Sequence, residues 1–309
     1  MSRGGAMSKE LVLRLNNRNY ANWLKAGQCL YILTEALCPF TDEKMQNFHQ
    51  YLLRDMLHLR EPCQGRCHHE DIKHSRACNW CLHWKSVILS HHRQPNSMLN
   101  WENCTPAAWR TNHWELAKAY MPRGQAHVRT ADQCDPSALL NLINFCDCFA
   151  IVNVHSSLVR ELIRCRNALM HSADMHVTDE WMKKFKVTLT RFVQLFDHVP
   201  SMAGTEQKLT QMLAVDLSIC AIDVVDDPEM ELATDSVTYN VMPEKIFQWE
   251  ADLLQERLQE LKHMAEDETM DTNQLKMLEC FLQQNKDLSE KFSGQLQAIS
   301  MLVAEQRKT

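Results

Sequence analysis

Seven glycines in 309 residues, about a third of ordinary usage, leave too few left-handed positions for the tight turns of a multi-stranded sheet. Between them Leu, Met, Lys, Glu and Gln are plentiful, and these are strong helix formers. The sequence therefore predicts an all-α protein, long enough for two domains or for one domain with appendages.

Apolar spacing and helix punctuation divide the chain into five stretches. In 1–60, Leu11, Leu15, Leu24, Leu30, Leu33 and Leu37 recur near helical spacing, followed by Phe48, Leu52, Met56 and Leu59; Pro39 is expected to break the run. Residues 61–99 are rich in Cys and His. In 100–200 four helices are announced by start signals at Thr105-Pro106, Asp135-Pro136, Ser156-Ser157 and Thr178-Asp179-Glu180, the punctuation of a four-helix bundle. Residues 201–242 read as an acidic linker, because Ser218 to Asn240 holds six acidic residues and no Lys or Arg. In 243–309, Ile246, Leu253, Leu258, Leu261 and Met264, then Leu275, Leu278, Leu282, Leu288, Phe292, Leu296 and Ile299, suggest a helical hairpin or short coiled coil. It either packs on its own chain or serves as an arm for a protein partner.

The net charge of −6 gives no global positive field for nucleic acid, so any such contact must be local. The opening MSRGGAMSKELVLRL lacks a signal-peptide apolar run, and no stretch approaches the roughly 20 apolar residues of a membrane span; a cytoplasmic or nuclear protein with no membrane contact is expected. In that compartment the 13 cysteines are expected to be reduced. Four stand apart. Cys63-x3-Cys67-x10-Cys78-x2-Cys81 offers four thiolates in two close pairs, the donor set of a structural, tetrahedral Zn2+ site, with His68, His69, His74 and His83 as substitutes; unmetallated thiols are the alternative. His68-x-Glu70 before Cys78-x2-Cys81 imitates a zinc deaminase signature, but Cys78 follows Ala77 rather than proline and no sheet is expected around it.

Leu158 to His171 reads LVRELIRCRNALMH. At 100° per residue, Leu158, Leu162, Cys165 and Leu169 form a stripe widened by Val159, Ile163 and Met170. Arg160, Arg164, Asn167 and His171 fall on the opposite face. Arg166 projects into the apolar arc, where an arginine needs a partner: a cleft or subunit interface, or a buried ion pair with Asp147 or Glu115.

Arg166-Asn167-Ala168-Leu169-Met170-His171 resembles the Arg-polar-x-x-x-His motif on the third helix of HEPN domains, which are four-helix bundles that commonly dimerise. The Asp135-Pro136 start, SALLNLIN, CRNALMHS and Thr178-Asp179-Glu180 are similar to the HEPN-like domain of the DAZ-interacting zinc-finger ubiquitin ligases. Through NRNYANWLKAGQCL, WELAKAYMPRG and CRNALMHS, nearly the whole chain resembles a vertebrate family of uncharacterised X-linked open-reading-frame proteins. The HEPN resemblance implies a homodimer that binds single-stranded RNA, or cleaves it without metal by 2'-OH attack. Arg166 would hold the phosphate, His171 would move protons, and Asn167 would orient His171 or the ribose. Arg160, Arg164, Lys183 and Lys184, with Lys186 and Arg191, would give a local positive surface, or are simply solvated helix faces. Trp101, Trp109, Trp114 and Trp181 are stacking candidates, although tryptophans serve the core first. Many HEPN domains only bind or dimerise, so a noncatalytic helical scaffold with a structural zinc site is the alternative. No P-loop, nucleophile elbow, dinucleotide fingerprint or zinc-protease helix is present.

Overall fold

The computed structural model describes residues 9–94, 99–152, 156–172, 174–218, 242–266 and 272–306. Among them the chain is helical and contains no strand; one isolated antiparallel bridge joins His92 to Cys146. The α-helices are α1 (Lys9–Asn16), α2 (Arg18–Asp55), α3 (His69–Lys73), α4 (Asn79–Ser90), α5 (His113–Ala117), α6 (Pro136–Phe145), α7 (Ser156–Met170), α8 (Asp179–Gln194), α9 (Thr205–Ala214), α10 (Pro243–Glu266), α11 (Thr272–Gln284) and α12 (Lys286–Gln306). No described helix is long and apolar enough to cross a membrane.

These elements fall into two compact units. The first takes Met1–Cys29, Ala168–Lys183 and Thr210–Thr309. Its core comes from Leu11, Leu15, Tyr20, Trp23 and Leu24, from Ile246, Trp249, Leu253, Leu254, Leu258 and Leu261, and from Leu275, Leu278, Leu282, Leu288 and Leu296, all buried. The apolar stripe of the C-terminal helices is thus spent inside this unit, with α10 and α11 both packed on α12. The tail is three helices rather than a hairpin. Asn285 makes the extra corner: its Nδ2 donates to the Phe281 carbonyl at 2.7 Å, and its own carbonyl accepts from Leu288 and Ser289. Arg14 is clamped beside it, donating to Glu250 at 2.8 and 3.0 Å, to Asp287 at 2.9 and 3.1 Å and to Asn285 Oδ1 at 2.8 Å, while the Tyr20 hydroxyl donates to Glu250 at 2.8 Å.

The second unit takes Leu30–Asn167 and Lys184–Leu209. Helix α2 runs on through Pro39. The missing N–H orphans the Glu35 carbonyl, but Glu35 and Pro39 are both on the exposed face, where solvent can satisfy it. On the buried face Phe40 meets Phe149 and Phe196 with ring centroids 5.9 and 5.4 Å apart. The stretch 100–135 carries only the short α5 and several 3-10 turns, so the region expected to form four bundle helices has only α6, α7 and α8 at eight residues or longer. Buried Glu115 organises that stretch by accepting from Lys118 Nζ at 2.7 Å, Arg129 at 3.0 Å and the Thr105 N–H at 2.7 Å. Of the expected 201–242 linker, the first part holds α9; residues 219–240 of the acidic run lie outside the described residues.

Candidate metal centre and the Arg166 helix

The four cysteines singled out by spacing come together. The sulfurs of Cys63, Cys67, Cys78 and Cys81 all lie within 4.8 Å of one another, and Cys63 and Cys78 are 3.9 Å apart. Four sulfurs bonded at about 2.3 Å around a tetrahedral zinc sit about 3.8 Å apart, so the set fits that ion with little movement. The local chain is shaped for it. Arg66 takes a left-handed conformation (φ 50°), and a Cβ at Gly65 would stand 3.5 Å from Cys67 Sγ. Backbone N–H groups point at sulfur, from Cys67 to Cys63 Sγ at 3.5 Å and from Cys78 to Cys67 Sγ at 3.2 Å. Cys78 caps the N-terminus of α4 and Cys81 lies in its first turn, where the helix dipole favours thiolate.

Desolvation pushes the Cys78 thiol up, but the N–H groups of Cys81 and Gln64 outweigh it and leave Cys78 at about 6. Cys63 is lowered in the same way, against desolvation, by the N–H groups of Cys67 and Gly65. Cys67 and Cys81 are raised by desolvation first and then by their ionised neighbours. Four close sulfurs, two of them held below the ordinary thiol range by N–H donors, are a donor set that a cation would stabilise. The histidines stand aside: His69 and His74 face Glu70 at 3.6 and 3.3 Å on the surface, and His83 packs edge-on against His58 and Trp80. Glu70 thus faces imidazoles on the surface.

In α7 the buried residues are Val159, Leu162, Arg166, Leu169 and Met170, while Arg160, Arg164, Asn167 and His171 are exposed as the periodicity predicts. Arg166, 2 % exposed, lies in the middle of the buried stripe, and its Nη1 reaches Asn167 Oδ1 at 3.5 Å. The two carboxylates expected for it are engaged elsewhere: Glu115 by Lys118 and Arg129, and Asp147 by His91 at 2.9 Å. His171 receives a neighbour that the sequence could not suggest, because it comes from 86 residues away: Arg257 Nη1 is 3.3 Å from His171 Nδ1. A guanidinium only donates, so Nδ1 accepts and the ring carries its proton on Nε2. Arg257 is itself 3 % exposed.

Lys183, Lys184, Lys186 and Arg191 are exposed along α8, opposite buried Phe185, Leu189, Phe192 and Val193. Thr188 ties that helix to α7 by donating to Glu161 at 3.2 Å. Trp109 and Trp114 are buried, their indole N–H groups donating to the Glu115 carbonyl at 3.1 Å and to Asp42 at 2.7 Å. Trp101 packs edge-on against Trp109, and Trp181 is half-buried.

Among the described residues, helices without a strand and one four-cysteine cluster are the class that these features define. The chain belongs to the family described as a domain of unknown function, DUF4559, whose match spans residues 14–307. Among its relatives is a mouse (Mus musculus) protein, the "Uncharacterized protein CXorf38 homolog", 35 % identical over 307 residues that cover 97 % of this chain and 94 % of that protein. No solved structure matches the chain. The whole-chain resemblance to X-linked open-reading-frame proteins is met by this kinship; the likeness to HEPN domains rests on the CRNALMHS helix and its flanking punctuation.

Proposed function

We propose that the protein is a noncatalytic helical scaffold whose four-cysteine knuckle holds a structural zinc ion. The observation that carries the choice of scaffold over ribonuclease is the burial of Arg166 at 2 % exposure. A guanidinium that is to clamp a phosphate in the transition state must face the substrate, and this one faces inward. His171 has its Nδ1 lone pair turned to a second buried guanidinium, an arrangement suited to fixing a helix end rather than to accepting a proton there. Four thiolates close a zinc coordination sphere and leave no position for an activated water. Cys63, Cys67, Cys78 and Cys81 would hold the ion, whose contribution is folding energy.

Partners of such a scaffold, whether a second copy or another protein, must use surface beyond the buried stripe of α10 to α12. The exposed Arg160, Arg164 and Asn167 on α7 are the face left for single-stranded RNA. Incubation of purified protein with single-stranded RNA, with and without His171→Ala, separates the readings. Intact RNA in both samples supports the scaffold. Metal-independent cleavage leaving 2',3'-cyclic phosphate ends, abolished by His171→Ala, refutes it. Metal analysis of the purified chain and of Cys78→Ser tests the knuckle: one zinc per chain is expected in the parent and none in the variant.

A further inference from the structure

The second compact unit gathers another group of sulfurs, away from the four-cysteine cluster. The Sγ atoms of Cys146 and Cys148 lie 3.4 Å apart, and Met45 Sδ lies 3.8 Å from Cys148 Sγ. Cys146 and Met45 are fully buried and Cys148 is partly exposed, so the group is interior yet reachable through one thiol. Its corner is fixed on the backbone. Cys146 ends α6, its N–H donating to the Leu142 carbonyl. The flanking residues pair with the segment after α4, Arg93 N–H to the Phe145 carbonyl at 2.9 Å and Asp147 N–H to the His91 carbonyl at 3.0 Å.

A second, independent observation concerns charge. The Nε and Nη2 atoms of Arg93 are buried with no hydrogen-bond partner among the described residues, and this guanidinium lies within electrostatic reach of Cys148. The Asp147 carboxylate acts on the same thiol and is held by His91, so two nitrogens of this guanidinium keep hydrogen-bonding capacity to spare.

We propose that Cys146, Cys148 and Met45 form a second metal site that takes one Cu(I) ion. Two thiolates and a thioether are soft donors of the kind that select Cu(I), whereas zinc asks for a fourth ligand. With metal–sulfur bonds of about 2.3 Å, as at zinc, trigonal coordination spaces sulfurs about 4.0 Å apart, so the two edges that meet at Cys148, 3.4 and 3.8 Å, need only a small widening. Binding releases both thiol protons to solvent and changes no oxidation state. The resulting complex carries one net negative charge, which the Arg93 guanidinium offsets. A disulfide, the other fate of neighbouring thiols, would close the pair to about 2.05 Å and leave both the thioether and the guanidinium without a role.

The test uses the full-length chain under reducing, oxygen-free conditions. Cu(I) is delivered from its complex with a chromophoric chelator, and released zinc is read with a second dye. The parent chain is expected to take up one equivalent without releasing zinc. Cys148→Ser should lose that equivalent, its affinity falling beyond the roughly 10–100-fold that loss of an outer partner costs at a metal site. Met45→Leu, close in volume, should weaken binding by at least about tenfold, and unchanged affinity would remove the thioether from the site. Cys78→Ser, carried through the same titration, should keep the equivalent, which distinguishes this site from uptake at the four-cysteine cluster. Circular dichroism reports whether each variant is folded, and X-ray absorption on the parent chain, expected to show three sulfur neighbours, needs no variant at all. Uptake only as zinc leaves, equal uptake by parent and Cys148→Ser, nitrogen or oxygen neighbours to copper, or a Cys146–Cys148 disulfide in place of uptake would each overturn the proposal.

Discussion

Replacing Glu250 with Gln removes the more deeply buried of the two carboxylates that face Arg14. Glu250 is fully buried and Arg14 is 5 % exposed at the side chain. The carboxylate accepts two bonds from the guanidinium and one from Tyr20. Gln can accept at one oxygen only, and it turns an NH2 toward donors. Breaking a buried pair from one side costs about 3–5 kcal/mol. Because Asp287 still faces Arg14 and is 20 % exposed, the lower end, about 3 kcal/mol, is expected. At about 2–4 °C per kcal/mol this lowers the melting temperature by roughly 6–12 °C, read by circular dichroism at 222 nm or by calorimetry. Asp287→Asn should cost less, since water can reach that carboxylate, and Tyr20→Phe about 1 kcal/mol for one hydrogen bond. Arg14→Met made in the Glu250→Gln background should cost much less than in the parent, a coupling of more than about 1 kcal/mol. A Glu250→Gln protein melting within 2 °C of the parent, or one less damaged than Asp287→Asn, would refute the assignment of this network as the centre of its unit.

Gly27→Ala gains about 1 kcal/mol of helix propensity, but its Cβ would meet the Leu253 side chain at 2.4 to 2.9 Å. Overpacking of about 1–3 kcal/mol should win, and urea unfolding should show a net loss that Leu253→Ala partly relieves. Pro39→Ala should stabilise α2, by up to about 3 kcal/mol, as a higher urea midpoint; a lower one would mean the proline is needed. Burial holds His49 below its ordinary value against the opposing bond to the Trp109 carbonyl, and burial does the same to His92. Their unfolded forms take up protons first, so stability is complete above about pH 6.5 and is lost as pH falls through the depressed folded values. Urea midpoints at pH 7.5 and 5.0 should differ, and His49→Gln should flatten the difference. Stripping metal with a strong chelator should remove protection from hydrogen exchange in 63–90 before it affects α10 to α12; uniform loss would contradict a local role for the ion.

Helical class and the cysteine quartet were legible because each depends on short-range chemistry: glycine scarcity, and thiols paired at x3 and x2. The outward face of α7 was legible for the same reason, since Arg160, Arg164, Asn167 and His171 repeat at helical spacing. What failed to show depended on distant chain. Pro39 was read as a stop because the rule assumes that the orphaned carbonyl has no outlet, and the exposure of Glu35 supplies one. The leucines from 275 to 299 gave no hint of a corner at Asn285, whose Oδ1 is held by Arg14, 271 residues away. Arg166 was recognised as out of place, but Glu115 and Asp147 were offered as partners without knowledge that Lys118, Arg129 and His91 already hold them. Arg257 beside His171 had no local signal at all.

The ammonium of Lys85 reaches back from α4 to the Ile72 carbonyl at 2.7 Å and the Ser75 hydroxyl at 3.0 Å. It buckles the loop that leads into Cys78. That clasp does not use the four sulfurs, so part of the loop's ordering precedes the capture of an ion and less ordering entropy is lost on binding. Refilling an emptied knuckle should therefore be faster while Lys85 keeps its ammonium, and acetylation of Lys85, by unfastening the clasp, should slow it.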